Sequence, residues 1–433
     1  MKKVLIITYY WPPSGGAGVQ RWLKFTKYLR DFDWEPVIYT PENPESPAND
    51  PSLVYEIPQG ILTLKTKVWE PYYLYKFFTG RKKGERIQTA FLTEKKKAGI
   101  ADRISIWIRG NFFIPDARVF WIKPSIKFLN RWLKNNKIDL IVSTGPPHSM
   151  HLIARTLKQD TGIPWLADFR DPWTNIDFYN DLLLTKFADQ KHHRLEKEVL
   201  RRADAITLIS SGMEKQFKSI VDRKFHIITN GFDESDFKEV TEIDYQGKFI
   251  LSHIGSLVKT RNVINLWKAL HELSEEISGF SNDLEIRFIG TVDLSVRNSI
   301  TANNLDNYVV YEKYLPHHEL LQAYNRSVVL LLLINQTPNA ELILTGKVFE
   351  YLAAKRPILC IGPAKGDASE IIRETHSGHM FGFEEKDSLK SQIQKLYIDF
   401  KARNIGLDSR GIKVYSRRHL TGKIVDVMNE ITT

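Results

Sequence analysis

Runs of consecutive apolar residues alternate with stretches of helical period along the whole 433-residue chain. The apolar runs predict strands at 4–10, 36–40, 61–66, 138–144, 165–169, 205–209 and 226–228, then at 249–254, 285–289, 308–311, 328–334 and 358–361. Several, such as the run from Val328 to Ile334, are apolar at successive positions instead of every second one. That pattern belongs to parallel strands covered on both faces. Strand and helix in alternation imply a doubly wound α/β sheet, and the repetition of the pattern implies two such sheets. The break falls near 230–248. There Asn230-Gly231-Phe232-Asp233 is a turn signal, followed by a polar segment of little periodicity. The expected division is 1–235 and 236–410, with a closing segment at 411–433.

Composition agrees with that division. A chain of this length suggests two or three domains, and 42% hydrophobic residues suffice for their cores. No apolar run approaches the roughly 20 residues that span a bilayer. The opening Met-Lys-Lys-Val-Leu-Ile-Ile is soon broken by Trp11-Pro12-Pro13, so it reads as a first buried strand and not as a signal peptide. Cys360 is the single cysteine. No disulfide can form within the chain, and a reducing, cytoplasmic setting is expected.

Charge changes the picture more. The formal net charge is +10, and residues 51–150 alone hold 18 Lys+Arg against 7 Asp+Glu, a net of +11. The excess includes Arg81-Lys82-Lys83 and Lys95-Lys96-Lys97, interleaved with Trp69, Tyr72, Tyr73, Phe77, Phe78, Phe91, Trp107, Phe112 and Phe113. Such a basic and aromatic insert, 70–115, suits an anionic membrane surface. It also suits single-stranded nucleic acid, or a solvated helix pair that packs its aromatics inward.

The most informative stretch is 345–357, Thr-Gly-Lys-Val-Phe-Glu-Tyr-Leu-Ala-Ala-Lys-Arg-Pro, which follows the apolar run ending at Ile334 and a loop. It reads as a helix with a small-residue start at Thr345 and Gly346 and a proline stop. Amides at such a start attract anions, and Lys347 adds a positive charge there. Glu350 lies one turn on, on the same face. Amides and Lys347 for phosphates, with a carboxylate for the ribose hydroxyls, would suit a nucleotide. The competing reading is a surface helix on which Lys347 and Glu350 form a weak ion pair.

Other candidates sit where strands end, the place where open α/β sheets bind ligands. Gly15, Gly16 and Gly18 follow the first strand and precede a helix with apolar Val19, Trp22, Leu23 and Leu29. Backbone can approach a ligand there, but the spacing fails the dinucleotide pattern Gly-x-Gly-x-x-Gly. His148 follows Ser143-Thr144-Gly145-Pro146-Pro147 and is placed for a cleft, unless it is a buried histidine bonded to a carbonyl. Asp168-Phe169-Arg170-Asp171 ends the next strand. Its carboxylates could bind acceptor hydroxyls or act as a base, Asp171 being the better placed, or Arg170 could pair with an Asp to order a loop. The paired His317 and His318 have no third ligand nearby in sequence and make no metal site. Asp31-Phe32-Asp33 reads as a surface turn.

The 345–357 stretch is similar to the donor-site helix of the family 4 glycosyltransferases, retaining enzymes of the GT-B fold, and the resemblance runs through nearly the whole chain. It implies two facing Rossmann-like doubly wound domains with a cleft between them, and a final helix at 411–430 packed back on the first domain. It implies a UDP-sugar or GDP-sugar donor, no cofactor and no metal. By the same resemblance, Glu350 holds the ribose and the glycine loop faces the donor phosphate and the acceptor. The region of Gly290 and that of 315–319 would shape the nucleobase pocket. The family uses an Arg and a Lys after the first strand of the second domain against the leaving diphosphate. Here Ser256 stands at the usual Arg position, so within Gly255–Arg261 the role passes to Arg261 or Lys259, with Arg261 favoured. Many members carry a second Glu eight positions before the ribose Glu. That position is Leu342 here, and Glu341 is the neighbouring candidate.

The resulting expectation is a glycosyltransferase acting on a saccharide acceptor, carried on a lipid at the inner face of the cytoplasmic membrane, in cell-surface polysaccharide synthesis. The alternatives are a non-hydrolysing sugar-nucleotide epimerase and a catalytically silent nucleotide-sugar-binding protein. Nucleic acid is not the expected partner, since it would explain the +11 segment but not the pairing of Lys347 with Glu350.

Overall fold

A computed structural model of the chain describes every residue except 47, 71–99, 177, 239–240, 314 and 316. Most of the basic and aromatic run proposed at 70–115 lies outside the described residues. The chain divides into two compact units, residues 1–229 with 417–433, and residues 230–416.

The first unit is built on β1 (Lys2–Ile7), β2 (Ser14–Gly15), β3 (Trp34–Pro41), β4 (Ala48–Asn49), β5 (Leu62–Thr66), β6 (Leu140–Gly145), β7 (Trp165–Phe169), β8 (Ala205–Leu208) and β9 (His226–Ile227). Seven of these form one sheet in the order β5-β3-β1-β6-β7-β8-β9, and every pair in it is parallel. The two-residue β2 and β4 pair antiparallel apart from it. Strand β1 shows why the sheet is parallel. Val4, Leu5, Ile6 and Ile7 are all fully buried, yet alternate residues join different cores: Leu5 and Ile7 one, Val4 and Ile6 the other. A strand that must satisfy helices on both faces has no polar side to offer water. The second of these cores also takes Leu420, Ile424, Val425, Val427 and Met428 from the last helix, Arg417–Glu430.

The second unit holds β10 (Phe249–Ile254), β11 (Leu284–Ile289), β12 (Val309–Glu312), β13 (Val329–Leu333), β14 (Ile358–Ile361) and β15 (Gly378–Phe381), in the order β12-β11-β10-β13-β14-β15 and all parallel. Phe249, Leu251, Leu331 and Leu333 face one core, while Ile254, Leu330, Leu332 and Ile334 face the other. Among the described residues no helix is long and apolar enough to cross a membrane.

In each sheet the strand order reverses once. In the first, the chain builds outward through β3 on one side of β1 and through β7 on the other side of β6. In the second, the reversal falls between β10 and β13. Connections leave in opposite directions at such a point and open a crevice at the carboxyl ends of the two central strands.

Candidate active site

In the second unit the loops after β10 and β13 meet at that reversal. Gly255, directly after β10, has a backbone φ of +105°. A Cβ there would stand 2.6 Å from Cε of Lys347 and 2.7 Å from its Nζ. Gly290, after β11, comes so close that its own Cβ would sit 2.9 Å from the Gly255 carbonyl. Two glycine turns thus nest together and leave room for the Lys347 side chain.

The helix Lys347–Ala353 supplies the rest. Of its seven residues Val348, Phe349, Tyr351, Leu352 and Ala353 are buried, and only Lys347 and Glu350 are not. Packing therefore fixes which two side chains form its polar edge. Tyr351 ties the helix down: its hydroxyl accepts from the Ile254 amide at 3.1 Å and reaches the Leu331 carbonyl at 3.4 Å. Thr345 accepts from the Lys347 amide through Oγ1 at 3.4 Å, and Gly346 is exposed at the helix start. At two turns the helix is short, so the charge at this place is carried chiefly by side chains.

Those side chains converge. Nζ of Lys347 lies 3.3 Å from Nε2 of the buried His253. Burial and then the Arg261 charge push the Lys347 ammonium well below its usual pKa, with Glu350 pulling weakly the other way. Arg261 closes the short turn Lys259–Arg261. Its Nε donates to Asn335 Oδ1 at 2.5 Å, and Nη1 donates to the Ser256 carbonyl at 3.1 Å. The Gln336 amide donates to the Thr260 carbonyl at 2.7 Å, joining the same two loops. Lys259 is exposed.

No ion pair joins Lys347 to Glu350 among the described residues. Glu350 instead accepts from the buried Tyr324 hydroxyl at 2.5 Å. Burial, followed by the Glu350 charge, raises the Tyr324 phenol, which therefore stays a donor. The carboxylate is held by one oxygen and keeps acceptor capacity on the other. Glu341 is exposed in the turn Ala340–Leu342. Sequence reasoning missed His253, Tyr324 and Asn335. The only signal for His253 was a lone histidine inside an apolar strand, and a tyrosine in an amphipathic helix carries no signal at all.

In the first unit the candidates cluster around the ends of β1, β6 and β7. Gly15 pairs with Ala48 in the β2–β4 ladder, and Gly16 adopts φ +94° before the helix Ala17–Tyr28. Arg170 donates through Nη1 to the Gly18 carbonyl at 2.8 Å and through Nη2 to the Pro146 carbonyl. It therefore staples the glycine loop to the end of β6, with both of its Nη groups directed at backbone. Asp171 beside it is exposed.

Asp168 is fully buried and accepts from Arg21, Trp22, Thr144 and Thr207. Burial would raise its pKa, but the Arg21 guanidinium and these donors outweigh it and bring the carboxyl down to about 2. A carboxylate so fully occupied is a structural link between β6, β7, β8 and the first helix.

His148 is 7% exposed and stacks on Trp173 with ring centroids 4.6 Å apart. Burial first, then the neighbouring His151 and Arg170, keep its imidazole well below the usual pKa and neutral. His151 Nδ1 lies 2.8 Å from Ser143 Oγ. His148 Nδ1 and His151 Nε2 both border Gly145, where an added Cβ would stand 3.1 and 2.6 Å away.

The arrangement of two parallel-sheet units is shared by solved structures. Sucrose-phosphate synthase from Thermosynechococcus elongatus superposes with a TM-score of 0.63 at 12% identity, covering 99% of each chain. A structure from E. coli described as trehalose-6-phosphate bound with UDP-2-fluoro glucose gives 0.60 at 9% identity over 99% of each chain. Staphylococcus aureus TarM, in complex with UDP, alpha-GlcNAc-glycerol and Fondaparinux, gives 0.58 at 11% identity, covering 99% of this chain and all of that one. At these identities the likeness establishes the fold, a two-domain Rossmann-like GT-B architecture. No curated protein matches the chain at the level of sequence. Residues 15–236, just over half of the chain, match Glycosyltransferase Family 4, and the protein belongs to that family.

Proposed function

We propose that the protein transfers a sugar, with retention of configuration and without a metal, from a UDP-sugar or GDP-sugar to a saccharide acceptor. The observation that carries this reading is the meeting of Lys347, Arg261 and two nested glycine turns with Glu350 at the strand reversal of the second sheet. In it Lys347 and Arg261 bind the diphosphate and stabilise the negative charge that builds as the sugar departs. Glu350, oriented by Tyr324, accepts the ribose hydroxyls. Lys259, Gly255, Thr345, Gly346 and Glu341 belong to the rim of the same site. The acceptor is assigned to the first unit, near His148, Asp171, Arg170 and the loop of Gly15, Gly16 and Gly18. The acceptor hydroxyl approaches beside the leaving phosphate, its oxygen bonds to the anomeric carbon as the sugar–phosphate bond breaks, and its proton passes to the diphosphate.

The acceptor is proposed to ride on a lipid at an anionic membrane face, in cell-surface polysaccharide synthesis. Supporting this, the helix Ile100–Phe112 presents Ile104, Trp107, Ile108 and Phe112 to solvent, with Phe112 67% exposed. That spacing is one helical face, and basic Arg103 and Arg109 are on the same helix. A helix of this kind can lie in a membrane interface.

The test is incubation with radiolabelled UDP- and GDP-sugars, with and without a lipid extract. A labelled lipid-soluble product dependent on Glu350 and Lys347 is the expected result. A new sugar nucleotide formed without acceptor would point to an epimerase instead, and nucleotide-sugar binding without turnover to a silent binding protein.

A further inference from the structure

His253 is a titratable side chain that the reading above does not use. It sits near the end of β10 and is 1% exposed. Its Nδ1 lies 3.0 Å from the Leu331 carbonyl on β13. A carbonyl only accepts, so Nδ1 carries the proton and Nε2 presents a lone pair. That lone pair faces Nζ of Lys347 at 3.3 Å, and a lysine nitrogen in its charged form can only donate. The side-chain bond to the β13 carbonyl favours the tautomer that can hold the lysine, with the Ser256 backbone also against the ring.

The chemistry of the partner matters. A carboxylate in the same place would hold Lys347 equally well but would cancel its charge. A neutral imidazole orients one N–H and cancels nothing, so an incoming anion is left to balance the ammonium. Burial first, then the Lys347 and Arg261 charges, keep the imidazole well below its usual pKa. The charged groups that act on Lys347 are Arg261 from the turn after β10 and Glu350 from its own helix. Neither holds Nζ in the way His253 does.

We infer that His253 is a positioning residue for the donor diphosphate: it aims Lys347 at the phosphates while leaving the lysine charge uncompensated. The inference rests on the donor-site reading of Lys347, and it adds a specific role for an uncharged group behind it. The competing account is a histidine that merely satisfies the Leu331 carbonyl in the core.

The test uses the full chain and three variants, His253→Gln, His253→Leu and His253→Glu, each titrated calorimetrically with inorganic pyrophosphate, UDP and GDP after its fold is checked by thermal unfolding. Gln reaches the Nε2 position with a neutral acceptor and should stay within about threefold of the wild type. Leu and Glu should each lose about tenfold or more, Leu by releasing Lys347 and Glu by neutralising it. Folded Leu and Glu variants with wild-type affinity would overturn the inference. Should the Leu variant not fold, nitrogen-15 NMR of histidine in the wild type and in Lys347→Met decides. The inference requires an Nδ1–H tautomer and a His253 Nε2 resonance that moves when Lys347 is removed. An unmoved Nε2 resonance contradicts it. If the wild type binds none of the three probes, the donor-site reading itself fails and the inference falls with it.

Discussion

Asp168, fully buried, and Lys347, half-buried, show opposite effects of desolvation on a charge. Asp168 is surrounded by donors and reaches a pKa of about 2. Its folded pKa lies below the ordinary carboxylate value, so its stabilising effect is complete above about pH 4 and is lost as pH falls toward 2. Asp168→Asn should leave Arg21 buried without its counter-charge and destabilise the protein by about 3–5 kcal/mol, read by urea denaturation. The variant should also lose the acid limb of the stability profile between those pH values. Lys347 is the reverse case, a cation whose surroundings disfavour its charge. A bound diphosphate favours the charged form, so at a pH above the lowered pKa binding should take up a proton. Diphosphate affinity should therefore weaken as pH rises through the lowered pKa of the free protein. Calorimetry in buffers of different ionisation heat measures the uptake, and Lys347→Met should abolish it. The sequence singled out Lys347 by its place at a helix start, but not the surroundings that lower its pKa, and it left Asp168 and Asp171 equally acidic.

At the scale of elements, strands buried on both faces were the legible part. The predicted run 249–254 coincides with β10, and 358–361 with β14, because a continuous apolar run has few other uses in a chain that alternates with helices. Strand β15 was missed. Its sequence, Gly-His-Met-Phe, has no continuous apolar run, and it earns its place by backbone fit: a Cβ at Gly378 would meet the Ile358 carbonyl oxygen at 2.0 Å. The helix at 347–353 was legible from its small-residue start and proline stop. What holds its polar edge was not, since Tyr324 and His253 come from elements distant in sequence and meet it only through the fold. The nested turns give an element-scale prediction. Gly290→Ala places a methyl against the Gly255 carbonyl at a φ of +126°. It should destabilise the protein by about 1–3 kcal/mol, seen in thermal unfolding, and lower nucleotide affinity by displacing Gly255 and Lys347.

For the whole molecule, the sequence resolved the α/β class and its doubling, because the alternation of period persists from end to end. It did not resolve where the charge excess would act, since composition alone leaves membrane, nucleic acid and solvent open. The exposed apolar face of Ile100–Phe112 narrows that choice and makes a prediction. Replacing Trp107 and Phe112 together by serine should release the protein from vesicles containing anionic lipid in sedimentation at low salt, with no change in nucleotide affinity. Equal sedimentation of variant and wild type would remove the support for a lipid-borne acceptor while leaving the donor site intact. The central claim is that the second unit binds a nucleoside diphosphate through the edge formed by Lys347 and Glu350. Calorimetric titration of the wild type and of Glu350→Ala with UDP and GDP tests it most directly. The account expects one of the two nucleotides to bind the wild type in the micromolar range and that binding to be lost in the variant. Absence of binding to either nucleotide, or binding unaffected by the substitution, would contradict it.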